Sequence, residues 1–228
     1  MKRHLLLCGE RGVGKSTLIR RLLERNTREI GGFVTKRLPT ADENGFFPIY
    51  LYPAAQMENE RRNAAANLVG TCDSRSSIRH PEVFDTVGVQ LIASAPKNGL
   101  ILMDELGFLE NDAEAFQSGV LRALAGDTPV LAAVKPKNTP FLRAVREHEN
   151  AELVFIDERN RDALFLQLLP RILRWNEELK SARVLSGAFS ALRRAFCRPV
   201  EREEIFAKEG RFAEEFQANA CLIINAVL

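Results

Sequence analysis

Residues 4–17 read His4-Leu5-Leu6-Leu7-Cys8-Gly9-Glu10-Arg11-Gly12-Val13-Gly14-Lys15-Ser16-Thr17. His4 to Cys8 is a short apolar run of the kind a strand buried on both faces requires. Leu18, Ile19, Leu22 and Leu23 then recur at helical spacing. The chain therefore goes strand, glycine loop, helix, and Gly9 to Ser16 fills every fixed position of G-x-x-x-x-G-K-[ST] within it. This is a P-loop. Glycines let successive backbone N–H groups converge on phosphates, and the following helix directs its positive end at them. Gly9, Glu10, Arg11, Gly12, Val13, Gly14, Lys15, Ser16 and Thr17 are the expected nucleotide-binding residues. Lys15 is placed to neutralise β and γ oxygens, Ser16 to offer its hydroxyl to Mg2+, and Thr17 to bond a phosphate nearer the nucleoside.

The next informative stretch is Leu100-Ile101-Leu102-Met103-Asp104-Glu105, four apolar residues and then paired carboxylates. It looks like a Walker B segment. In an open α/β sheet the ligand lies outside the carboxyl ends of the strands, which brings Asp104 beside the P-loop. Asp104 is the expected metal-shell residue with Ser16. Glu105 has the position of a base that polarises attacking water, so Glu105 and Lys15 are the candidate catalytic residues.

Around these two motifs the chain alternates. A helix opened by Pro81 precedes the second strand. A helix over 113–125, a strand over 130–134, a helix over 141–149, a strand over 153–156 and a helix over 162–175 follow it. Alternation of this kind predicts a three-layer α/β fold with a mostly parallel sheet covered on both faces. Gly31 and Gly32 read as the end of the first helix. Residues 33–35 and 46–52, flanking the turn-rich Pro39 to Gly45, read as an antiparallel hairpin added to the sheet. Residues 58–80, with Arg61, Arg62, Arg75 and Arg79, show little periodicity and read as a long or mobile loop.

After Trp175 the pattern weakens. Leu185, Phe189, Leu192 and Phe196 fit one helical face with a basic edge at Arg193, Arg194 and Arg198, and a further helix is expected over 205–216. The expected division is a nucleotide-binding domain, 1–175, and a helical C-terminal extension, 176–228. The extension's apolar face suits the core, a homo-oligomeric contact or a protein partner better than a membrane.

Composition narrows the function classes. The 228 residues allow one sizeable domain plus an appendage, and 46% apolar with 27% charged residues is ordinary for a globular protein. With 32 Lys+Arg against 30 Asp+Glu the net charge is +2, too small to point to nucleic acid or a lipid surface. The four cysteines and three histidines form no metal-ligand spacing. Cys8 reads as a buried strand residue. The apolar start is too short for a signal peptide, and no stretch reaches the length of a membrane span, so a cytoplasmic location is expected.

Taken together, Gly9 to Thr17, Gly32-Phe33-Val34-Thr35, Asp104-Glu105-Leu106-Gly107-Phe108-Leu109-Glu110, Pro129-Val130-Leu131-Ala132 and Asn160-Arg161-Asp162 stand in an order and spacing that resembles the cancer-related nucleoside triphosphatases. That is a small P-loop family similar in fold to the RecA and AAA+ group, and the resemblance covers roughly Lys2 to Trp175. It implies slow, Mg2+-dependent hydrolysis of several nucleoside 5'-triphosphates, ATP and GTP among them, to the diphosphate and phosphate, with modest base selectivity. Asn160 and Arg161 match the family's late motif and are expected near the nucleotide; locally they also read as a helix cap and a surface ion pair. Residues 58–80 depart from the family pattern, which leaves Arg75 and Arg79 to a solvated loop rather than to transition-state charge. Two other classes fit the same P-loop: a phosphotransferase using residues 58–80 as an acceptor lid, and a nucleotide-operated switch acting through the tail.

Overall fold

The computed structural model describes residues 2–196 other than Ser74. The helix expected over 205–216, and the side-chain face expected at Leu185, Phe189, Leu192 and Phe196, lie outside the described residues. The strands are β1 (His4–Cys8), β2 (Ile30–Arg37), β3 (Phe47–Pro53), β4 (Leu68–Cys72), β5 (Ser77–Arg79), β6 (Leu100–Leu106), β7 (Val130–Val134) and β8 (Ala151–Phe155). The helices are α1 (Lys15–Leu23), α2 (Pro81–Val83), α3 (Val89–Ala93), α4 (Glu114–Ala125), α5 (Pro140–Arg146) and α6 (Arg161–Phe196), with a π-turn, Phe84–Gly88, joining α2 to α3.

All eight strands form one sheet in the order β5-β4-β3-β2-β6-β7-β1-β8. The stretch β2-β6-β7-β1-β8 is parallel, and β3, β4 and β5 continue it antiparallel from β2. Strand side chains alternate between two apolar layers. Leu6, Ile101, Met103, Val130 and Ala132 face one layer with Phe84, Phe116, Val120, Leu142 and Val145. Leu5, Leu7, Leu100, Leu102 and Leu131 face the other with Leu18, Ile19, Leu22, Leu168, Ile172 and Trp175. Helices thus cover both faces, as the β/α alternation requires.

Three readings of the sequence need correction. Gly31 and Gly32 do not end α1, which stops at Leu23; they lie inside β2. Gly32 has φ +89°, and a Cβ there would stand 2.1 Å from the Leu102 carbonyl oxygen. Its missing side chain serves a close strand approach rather than a helix stop. The hairpin is not merely appended: β2 pairs in parallel with β6 and belongs to the central sheet. Finally, residues 58–80 are not a structureless loop. They hold 3-10 turns at Glu58–Glu60 and Ala65–Asn67 and the strands β4 and β5. Asn67 Nδ2 docks the segment by donating to the Leu51 carbonyl at 3.0 Å.

The chain divides into two units, Met1–Asn176 and Glu177–Leu228, and the boundary falls within α6. The first unit is closed by buried and part-buried polar bonds. Asn176 Oδ1 accepts from the Thr27 N–H at 3.1 Å, and its Nδ2 donates to the Arg25 carbonyl at 2.8 Å. The buried Arg28 guanidinium donates to the Trp175 carbonyl. These bonds fasten the α1–β2 connection to α6.

Candidate active site

The carboxyl ends of β1, β6 and β7 lie side by side, and the chemistry-bearing residues follow directly from them. Gly12 and Gly14 hold φ +86° and +106°, a left-handed region that a residue with a Cβ adopts only at a cost. Gly14 caps α1 without any side-chain hydrogen bond, and no acidic residue occupies the first turn. The N–H groups at the start of α1 are therefore open to an anion, and the helix dipole favours one there. Lys15 is 4% exposed. Its Nζ donates to the carbonyls of Gly9 at 2.7 Å and Glu10 at 2.8 Å, and lies 3.2 Å from Glu105 Oε2. Ser16, one residue on, donates its hydroxyl to Asp104 Oδ1 at 2.9 Å. Glu10, Arg11 and Thr17 are exposed and Val13 half-buried.

Asp104 and Glu105 are consecutive in β6, yet both side chains meet the P-loop. Regular alternation would send them to opposite faces. The β6–β7 register explains the exception: Asp104 pairs with Ala133 and Leu106 with Val134, so Glu105 is skipped. Leu106 accordingly joins the Met103 layer, where an unbroken strand would have put Glu105. A bulge that re-aims one side chain is a recurrent device beside reactive centres. Glu105 then holds two cations, Lys15 through Oε2 and Lys135 through Oε1 at 3.1 Å.

Burial pushes the Asp104 carboxyl above the usual carboxylate range; the Ser16 hydroxyl, Lys36 and Lys15 oppose the shift, and Glu105 adds to it. A divalent cation would remove that penalty by supplying the missing positive charge. The Ser16 hydroxyl and Asp104 carboxylate are hard oxygen donors, which suit Mg2+. Among the described residues no cluster of three or more His, Cys, Asp or Glu is arranged to hold a metal. Mg2+ needs no such cage, because it retains water and takes phosphate oxygens as ligands.

The late motif splits in two. Asn160 Oδ1 accepts from the Asp157 N–H at 3.0 Å, and Nδ2 donates to the Phe155 carbonyl at 2.9 Å. Both ends of its amide are spent on the β8–α6 turn. Arg161 opens α6 and is exposed; a Cβ on Gly14 would stand 3.5 Å from its Cδ, so this side chain passes the P-loop. Arg79 pairs with Asp112 at 3.0 Å and is taken up by that contact. Cys8 is buried in β1, and burial raises its thiol pKa.

Sequence reading missed one residue of this neighbourhood and gave a second, quoted in a motif, no role. Lys135 follows β7 directly and reaches Glu105; a charged residue at the carboxyl end of the strand between β1 and β6 was the available signal. Glu110 is 1% exposed, and its Oε2 accepts from the Gly107 N–H at 3.0 Å, fixing the turn after β6.

A family model described as NTPase matches residues 4–169 of this chain. Similar proteins include the nucleoside-triphosphatase THEP1 of Thermotoga maritima, 24% identical over 179 residues that cover 75% of this chain and 96% of that protein. The THEP1 of Thermofilum pendens is 28% identical over 178 residues, covering 75% and 95%. Among solved structures, that of THEP1 from the hyperthermophile Aquifex aeolicus superposes with a TM-score of 0.58 at 20% identity, covering 74% of this chain and 98% of the other. The solution structure of a human cancer-related nucleoside triphosphatase gives 0.50 at 19% identity, covering 74% and 96%. Both likenesses concern the fold.

Proposed function

The chain belongs to the NTPase family whose model spans its residues 4–169, and from that premise we propose that it hydrolyses nucleoside 5'-triphosphates to the diphosphate and phosphate with Mg2+. The observation that carries the proposal is the meeting of two motifs: Ser16 on Asp104 at 2.9 Å and Lys15 on Glu105 at 3.2 Å. A phosphate-binding lysine, two hard oxygen donors and a second carboxylate lie within one cluster.

In this reading the P-loop N–H groups and Lys15 bind the β- and γ-phosphates. Ser16 and Asp104 hold Mg2+, which when bound offsets charge that builds on the phosphate oxygens. Thr17 bonds a phosphate closer to the nucleoside. Glu105 accepts a proton from the water that attacks the γ-phosphorus in line with the departing diphosphate. Asn160 holds the turn that presents Arg161, and Arg161 adds positive charge beside Gly14. Binding energy drawn mainly from the triphosphate, which all nucleotides share, accounts for low base selectivity. Residues up to Trp175 contain every group this chemistry uses; among the described residues no helix is long and apolar enough to cross a membrane.

Phosphate release from ATP, GTP, CTP and UTP, with and without Mg2+ and with no added acceptor, tests the proposal. The four rates should be of similar size and need Mg2+, and Glu105→Gln should abolish release while nucleotide still binds. Normal release by that variant would remove Glu105 from the role of base. Tight binding without release would point to a phosphotransferase instead.

A further inference from the structure

Among the described residues Glu105 pairs with a second cation besides Lys15, and that cation is Lys135. Its position is fixed from both sides. The Lys135 N–H donates to the Leu106 carbonyl at 2.9 Å, and its own carbonyl accepts from Arg146 Nη1 at 3.2 Å. The side chain runs over Gly107, where a Cβ would come within 3.1 Å of Lys135 Cδ, and its Nζ stands 5.3 Å from the centre of the Phe108 ring. That route ends 3.1 Å from Glu105 Oε1. The turn it crosses is held by the buried Glu110 on the Gly107 N–H.

The two oxygens of Glu105 thus have different partners with different fates. Oε2 is paired to Lys15, whose Nζ must serve phosphate oxygens during binding. Oε1 is paired to Lys135, which follows β7 and takes no part in the P-loop. We propose that Lys135 is the positioning residue of this reaction: it anchors Glu105 by Oε1 so that Oε2, released from Lys15 by the incoming phosphates, faces the attacking water. The inference rests on the reading of Glu105 as base. It assigns no proton transfer to Lys135, only the fixed direction of its partner.

The test compares Lys135→Met and Lys135→Arg with the intact chain in steady-state phosphate release from Mg2+-ATP. Binding of a fluorescent ATP analogue and melting temperature are read alongside. Loss of a fixed orientation should lower kcat by about 10- to 100-fold, while KM and analogue affinity stay within about twofold. Lys135→Arg, which keeps the charge but changes its shape, should recover most of the rate. An unchanged kcat in Lys135→Met, beside lost turnover in Glu105→Gln, would overturn the inference and leave the base intact. A raised KM with kcat preserved would also overturn it, because Lys135 would then be a phosphate ligand. A fall in kcat matched by a lower melting temperature and not recovered by arginine would reduce it to a packing role. Normal turnover by Glu105→Gln would remove the base itself, and this inference with it.

Discussion

Ser16 Oγ donates to Asp104 Oδ1 at 2.9 Å, a bond between the first turn of α1 and the end of β6 that spans 88 positions of sequence. Among the described residues neither side chain makes a second hydrogen bond, and Asp104 is buried at a cost to its charged form. In the proposed reading the pair would supply two oxygens to the Mg2+ shell. Asp104→Asn and Ser16→Ala should each shift the Mg2+ requirement upward by at least about 10- to 100-fold, the range that even indirect disturbance of a metal ligand reaches. A Mg2+ titration of phosphate release measures this. An unchanged half-saturating Mg2+ concentration in both variants would place the metal elsewhere.

Lys15 carries a different burden from Glu105. Three oxygens hold it, from Gly9, Glu10 and Glu105, and it is nearly inaccessible to solvent. Lys15→Ala removes charge from the proposed phosphate site and leaves Glu105, among the described residues, with the Lys135 ion pair. Both binding and rate should suffer, with kcat/KM down by about 1,000-fold or more, the scale of losing a preorganised charge contact. Glu105→Gln should differ by keeping affinity. Equal nucleotide affinities in wild type and Lys15→Ala would refute the phosphate role of the lysine.

Why some of this was legible in sequence and some was not follows from the range of the interactions. Gly9 to Thr17 and Leu100 to Glu105 encode local backbone demands and apolar runs, so the strand-loop-helix unit and the β/α alternation can be read directly. Gly31-Gly32 reads as a stop only while its neighbours are unknown; the reason for glycine there is the Leu102 carbonyl on another strand. The strands β4 and β5 are short and carry little apolar periodicity. Pairing of β4 with β3, through Phe47–Cys72 and Ile49–Gly70, and of β5 with β4 organises them. Lys135 offered only its place at the carboxyl end of a strand. Its meaning comes from a one-residue skip in the register of β6 against β7, which no local pattern announces.

Asn176 makes a prediction about where the first unit ends. It is 4% exposed, bonded to Thr27 and Arg25 at both ends of its amide. Asn176→Ala removes two part-buried bonds, to the Thr27 N–H and the Arg25 carbonyl, which should cost about 1 kcal/mol or more. Urea or thermal unfolding followed by circular dichroism measures it. A midpoint indistinguishable from wild type would mean that the α1–β2 connection does not depend on this clasp.

Two buried groups give the fold opposing pH dependences. Burial lowers the His4 pKa to about 4, against the partial opposition of the Leu124 carbonyl, and Nδ1 accepts from the Val130 N–H at 3.1 Å, as a neutral ring requires. The unfolded chain therefore binds more protons here than the folded one, and stability falls as pH drops from about 6.5 towards 4. Glu110 is the reverse case: burial raises its pKa to about 7, and the Gly107 N–H and Lys135 only partly oppose this. The folded state binds more protons, so stability is lost as pH rises from about 4.5 through 7. Each contribution amounts to about 3 kcal/mol, and between pH 4.5 and 6.5 they largely cancel. Glu110→Gln retains an oxygen for the Gly107 N–H but cannot ionise. It should unmask the histidine, so that stability rises more steeply with pH across that interval in the variant than in wild type. Chemical denaturation from pH 4.5 to 7 compares the two proteins directly; parallel profiles would mean that Glu110 stays ionised in the folded chain.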